Sequence, residues 1–251
     1  MEVHHHPALK HERKKWKEYL LEFLMIFIAV TLGFFAEGLR ENISEKHIEK
    51  DYIESFIADL KTDTTRLALI IPAEKKAISA IDTLLIILNL PSYSDDNTRR
   101  MYYLFRKYTM SFEPMTFNLR TYTQLKNSGG LRLIKSKAAS DSIVAYNKIV
   151  DDITSIINFT THDFMLPAIY QGNKIFDSRY LLPYGGETID SMLNTDTKVH
   201  LLTKNTTTIA EYSNLLYQVK HIRTSYLKQL VYHKERAKNM IDYFQQEYKT
   251  K

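Results

Sequence analysis

Residues 16–36 read WKEYLLEFLMIFIAVTLGFFA, and residues 37–56 continue as EGLRENISEKHIEKDYIESF. The first stretch is apolar with aromatic flanks. The second is charged and helically spaced, and no helix breaker separates the two. Together they predict an all-α chain: one N-terminal transmembrane helix continuing into an elongated antiparallel helical bundle.

The anchor is short by its uncharged core alone. Phe23 to Ala36 carries no charge, and a helix of that length rises only about 21 Å against a hydrocarbon core of roughly 30 Å. Extending it back to Trp16 supplies the missing rise but includes Lys17, Glu18 and Glu22. Lys17 and Glu18 fit among headgroups, and Glu22 falls near the boundary, where water or a proton can satisfy it. Trp16 and Tyr19 have the amphipathic rings that favour a membrane interface. Ala29 and Gly33 form a small-xxx-small spacing, which lets two membrane helices approach closely.

The flanks give direction. Lys10, Arg13, Lys14, Lys15 and Lys17 precede the run, whereas Glu37, Glu41, Glu45, Glu49, Asp51 and Glu54 dominate after it. A Lys/Arg excess on the N-terminal side predicts a cytoplasmic basic tail at 1–15, an anchor at 16–38 and an external, periplasmic helical domain at 39–251. Two other readings fit the same run. A signal peptide would be cleaved after Gly38, since Ala36 and Gly38 are small. A buried core helix of a soluble protein would also tolerate the short apolar stretch.

Composition narrows the rest. Gly (7) and Pro (6) are scarce among 251 residues, which favours long helices over a turn-dense β-sandwich. The absence of Cys excludes disulfides, thiol catalysis and cysteine-held metals. The net charge of +5 belongs partly to the tail and comes with no nucleic-acid motif, so no nucleic-acid partner is expected. The 17 tyrosines read as helix–helix packing first and as a partner surface second.

Along the chain, the apolar spacing predicts a helix to about Ile71 with Pro72 as a kink or break, then a helix over 73–89. Residues 91–97 read as a loop. Short helices follow over 98–110 and 118–126, the latter ending at Gly129 as a left-handed cap. Ser136 caps a long helix toward Met165, and Pro167 ends or bends it. Residues 170–188 look irregular, a short helix is expected over 188–193, and residues 206–248 form one long helix.

Charge suggests how the long helices meet. Residues 41–59 hold six acidic and two basic side chains, and residues 220–239 hold six basic and one acidic. Antiparallel packing would set Glu41, Glu45 and Glu49 beside Lys228, Lys234 and Arg236. Exposed pairs of this kind contribute about 0–1 kcal/mol each, so they would set register while apolar stripes supply stability.

No catalytic set stands out. The Glu37, Glu41, Glu45, Glu49 ladder lacks the Glu-x-x-His partners of a helical di-metal site. Asn127–Gly130 lacks a phosphate-loop pattern, and His162–Asp163 comes with no nucleophile elbow. The expectation is a non-enzymatic chain without cofactor or metal, whose partners are the lipid bilayer and a second copy or another envelope protein. The alternative is a sensory or ligand-binding domain with a pocket near residues 170–188.

Three stretches carry a resemblance: EYLLEFLMIFIAVTLGFFAEGLRE at 18–41, FIADLKTDT at 56–64 and YTQLKNSGGLRLIKS at 122–136. They resemble an uncharacterised family of single-pass proteins from Gram-negative bacteria, a domain of unknown function. Glu22 matches its glutamate before the apolar run, Asp59 its acidic helix, and Ser128 and Gly129 its punctuated helix pair. Ala36-Glu37-Gly38 replaces an Asn-Asn-Trp-like stretch. The resemblance implies an inner-membrane anchor and a periplasmic helical domain, and implies no activity.

Overall fold

A computed structural model describes residues 16–181, 193 and 198–249. The protein is all-α, and the one extended pairing among the described residues is an isolated bridge between Phe176 and Leu201. The chain divides into two compact units, Met1–Asp51 and Tyr52–Lys251. The described part of the first unit is the opening stretch of helix α1, which spans Trp16–Leu88.

Pro72 does not break α1. Its missing N–H removes one backbone bond, at a cost of about 3 kcal/mol in a helix interior. Pro72 and Ala68, whose carbonyl loses that bond, are both exposed, so water can serve the freed oxygen. On the opposite side Leu67, Ile71, Ile81 and Leu84 are buried. Each contributes about 1.5–3 kcal/mol by leaving water. Four such side chains outweigh one proline, and the helix continues to Leu88.

The second unit is built around α1 from Tyr52 onward and α6 (Thr206–Tyr248). Three cross-contacts set these two antiparallel: Phe56 with Phe244, Glu74 with Arg223, and Asp82 with Lys220. Between them in sequence lie α2 (Asp95–Leu104), α3 (Arg120–Asn127), α4 (Lys137–Phe159) and α5 (Leu166–Gly172). The expected loop at 91–97 is shorter than its composition suggests. Ser94 accepts a hydrogen bond from the Asn97 N–H, and Asp95 and Asp96 occupy the first turn, so α2 begins at Asp95.

Two π turns lie inside the helices expected over 98–110 and from Ser136 toward Met165. Phe105–Thr109 extends α2, and Thr160–Met165 joins α4 to α5. In the second, the Leu166 N–H bonds to the Thr161 carbonyl, five residues back, and the wider turn carries the chain over Pro167. Gly129 takes the left-handed conformation (φ 67°) after α3, and the Ser136 side chain caps α4 by accepting from the Ala139 N–H, both as the sequence indicates.

The core has two parts. One gathers Ile53, Phe56, Leu60 and Leu67 of α1 with Leu125, Ile143, Tyr146, Val150, Leu230 and Phe244. The other gathers Ile81, Leu84 and Leu88 with Met101, Tyr102, Phe105, Ala168, Phe176, Tyr212 and Leu216. Tyr102 ties the second part together. Its hydroxyl donates to the His200 carbonyl at 2.7 Å and accepts from the Asp177 N–H at 2.8 Å. Part of the described portion of the irregular segment is therefore core: Ile175 and Phe176 are fully buried, whereas Tyr170 is exposed. The short helix expected at 188–193 lies outside the described residues, apart from Leu193.

Candidate functional site

The apolar run is exposed along its length. Within the helix that contains it, the 18-residue window of highest hydropathy has none of its residues buried. Trp16 is 80% exposed and Tyr19 56%. Apart from the adjoining backbone of its own helix, nothing lies within 4 Å of where a Cβ on Gly33 would sit, so the Ala29–Gly33 step offers an open backbone face. The Thr31 hydroxyl donates to the Phe27 carbonyl at 2.8 Å. That bond satisfies the run's hydroxyl inside the helix, which an apolar surround requires. Glu22 takes part in an interaction of its own. By length and composition this helix can cross a membrane.

The start of the charge ladder is engaged within α1. Glu37 accepts from Arg40 on the same helix, and Glu41 lies within electrostatic reach of Arg40. Glu45 and Glu49 each have an interaction partner. The ion pairs that join α1 to α6 use other residues than the sequence suggests: Asp82 with Lys220 at 2.5 Å and Glu74 with Arg223 at 2.7 Å. Phe56–Phe244 and Glu74–Arg223 bracket the register, which sets Lys228, Lys234 and Arg236 level with α1 residues between Phe56 and Glu74. Among the described residues these three form no ion pair. The reason is apolar: Leu230, Ala237 and Phe244 must meet the buried stripe of α1, and that match, not charge, fixes the register.

Asp59 and Asp63 form a buried clamp. One turn apart on α1, both point inward and are 2% and 0% exposed. Asp59 accepts from the Asn118 side chain at 2.8 Å, the Thr121 N–H at 2.9 Å and Arg120 at 3.4 Å. Helix α3 has no side-chain cap of its own. Asp59 thus caps it from across the bundle, placing a negative charge where backbone N–H groups are unpaired. Asp63 accepts from the Asn118 N–H at 2.8 Å and the Tyr146 hydroxyl at 2.9 Å. Burial pushes the Asp63 carboxyl up to about 6, against the lowering pull of those two bonds.

His233 stands beside this clamp. It is fully buried on α6, its ring 4.3 Å from that of Tyr146 and 4.7 Å from that of Phe117. Neither ring nitrogen has a hydrogen-bond partner among the described residues. Burial, with Arg236 nearby, lowers the imidazole to about 4. The Tyr146 phenol is raised by burial and by the adjoining Asp63 charge.

A third polar group lies at the junction of the two core parts. Arg223 and Glu74, 2% and 4% exposed, share hydrogen bonds of 2.7 and 3.2 Å. Arg223 also donates to the Tyr108 carbonyl at 2.6 Å and lies over the Phe112 ring. A cavity of about 200 Å³ opens against this pair, with Lys107 and Glu113 among its lining.

Chemically, these carboxylates are engaged by donors inside the fold, so they position helices. Among the described residues no group of three or more His, Cys, Asp or Glu side chains is placed to hold a metal. Two larger cavities lie elsewhere. One of about 520 Å³ is formed by residues 88–93 with Lys204, Thr206, Ile209 and Ala210. The other, about 460 Å³, is lined by Lys76, Ser79, Thr83, Arg100, Tyr103 and Leu193 among others. Sequence reading missed Asp63, Glu74, Arg223, Tyr146 and His233 as a set. Their available signal was a polar residue on an apolar stripe, such as Asp63 between Leu60 and Leu67.

Comparison of the chain with protein-family models, with curated proteins and with solved structures gave no match.

Proposed function

We propose that this chain is a membrane-anchored helical interaction protein. Its basic N-terminal tail is cytoplasmic, and its helical domain lies in the periplasm. There it self-associates or docks onto another envelope protein, and it carries no catalytic activity. The kinship with the uncharacterised single-pass family belongs to the same reading. The observation that carries it is the wholly unburied apolar window of α1, in a chain whose inward-facing charges are engaged within the fold. A soluble protein would not leave such a surface in water.

Cross-linking in native membranes, followed by detergent extraction and affinity capture, tests it. Recovery of a defined homo-oligomer or one stoichiometric envelope partner supports the proposal. A chain that stays monomeric and captures nothing contradicts it.

A second reading, a ligand-binding domain, draws on the cavity of about 460 Å³, which includes Leu193, shortly beyond the segment the sequence suggested. Arg100→Glu together with Lys76→Glu would then abolish ligand-induced thermal shifts while leaving cross-linking unchanged.

A further inference from the structure

Asp63, Tyr146 and His233 come from α1, α4 and α6 and meet in the middle of one core part. Tyr146 bridges the other two: its hydroxyl donates to Asp63, and its ring packs on His233. The two ends are opposite in kind. Asp63 is a buried acid whose hydrogen-bond donors, Asn118 N–H and Tyr146 O–H, are both neutral. His233 is a buried base whose nitrogens have no acceptor among the described residues, so an imidazolium there would lack a partner for either N–H. Burial without an ion-pair partner favours the neutral form of each.

We infer that Asp63 and His233 are a compensating pair of proton sites that holds the stability of the helical domain level through mild acid.

The neighbours set the balance. Around Asp63 stand Asp59 and Arg66 on α1 and Tyr146 on α4; around His233 stand Arg236 on α6 and Tyr146 on α4. Arg66 donates to the Thr116 carbonyl and Arg120 contacts Asp59; neither forms an ion pair with Asp63, and the charge of Arg66 opposes the effect of burial without cancelling it. Arg236 adds positive charge near His233 and opposes a second one.

Linkage turns this arrangement into a pH response. Asp63 is raised from 3.8 to about 6 in the fold, so its contribution is full below 3.8 and is lost as pH rises through 6. His233 is lowered from 6.5 to about 4, so its contribution is present above 6.5 and is lost as pH falls through 4. Between about pH 4 and 6 the folded pair carries one proton, on the carboxyl. The unfolded pair also carries one, on the imidazole. Folding moves the proton from base to acid without changing the count, and the two slopes cancel.

Urea unfolding of the full chain in detergent micelles, followed by far-UV circular dichroism at steps from pH 7 to 4, tests the pair. The variants are Asp63→Asn, His233→Phe and the double substitution, each compared with the unmodified protein at the same pH. In Asp63→Asn the unfolding constant, relative to the unmodified protein, should climb up to about tenfold per pH unit on acidification. In His233→Phe it should fall by a similar factor, and the double variant should run parallel to the unmodified protein. Single variants that both run parallel to it, or that both tilt the same way, overturn the inference. Histidine-ring NMR of the unmodified protein gives a readout that needs no variant. The His233 resonance, identified by its contacts to the Tyr146 ring, should remain neutral at pH 5; a midpoint near 6.5 overturns the inference.

Discussion

Arg223 on α6 holds Glu74 on α1 through two hydrogen bonds, of 2.7 and 3.2 Å, where the two parts of the core meet. The pair is buried, and its third bond reaches the Tyr108 carbonyl in the π turn after α2. Three segments are thereby fixed by one guanidinium. Removing one partner of such a pair leaves an uncompensated charge, at a cost of about 3–5 kcal/mol. Arg223→Met and Glu74→Leu should each destabilise by that order, and the double substitution should recover most of the loss. Urea midpoints of the four proteins in one double-mutant cycle measure it.

Pro72 offers a gain. It sits exposed inside α1 and breaks one backbone bond without ending the helix. Pro72→Ala restores that bond and should raise stability by about 1–3 kcal/mol. The check is a higher urea midpoint with an unchanged far-UV spectrum. A lower midpoint would mean that a bend at Pro72 is needed for packing.

Gly172 offers a loss. A Cβ there would lie 2.4 Å from the Phe105 ring, which is itself stacked on Phe176 at 4.4 Å. Gly172→Ala must push Phe105 out of that stack, and overpacking of this kind costs about 1–3 kcal/mol. Gly172→Ala combined with Phe105→Leu should recover part of it, read again as urea midpoints.

Helical periodicity was enough to read α4, α6 and the all-α class, because one face of each helix is apolar over many turns. Caps at Gly129 and Ser136 were legible because their chemistry is local. Continuity at Pro72 and Pro167 was not, since burial on the far side of α1 and a π turn before α5 override a local breaker. Ser94 has cap chemistry, but it sits in a run of turn-forming residues that hid the start of α2. The polar core was the least legible part. Asp63, Tyr146 and His233 are separated by many residues, and each alone looks like an ordinary helix residue. The packing of α4 on the α1–α6 pair, whose register Phe56 on Phe244 marks, brings them together. The same register explains why Lys220 and Arg223 pair across the bundle, whereas Lys228, Lys234 and Arg236 form no ion pair among the described residues.

The central claim is that Trp16–Ala36 stays in a bilayer and tethers the domain. Alkaline carbonate extraction of native membranes, with N-terminal sequencing of the chain in each fraction, addresses it in one measurement. A tethered chain remains in the membrane pellet and still contains Trp16. Recovery of the chain in the aqueous supernatant, beginning at Leu39, would contradict the claim.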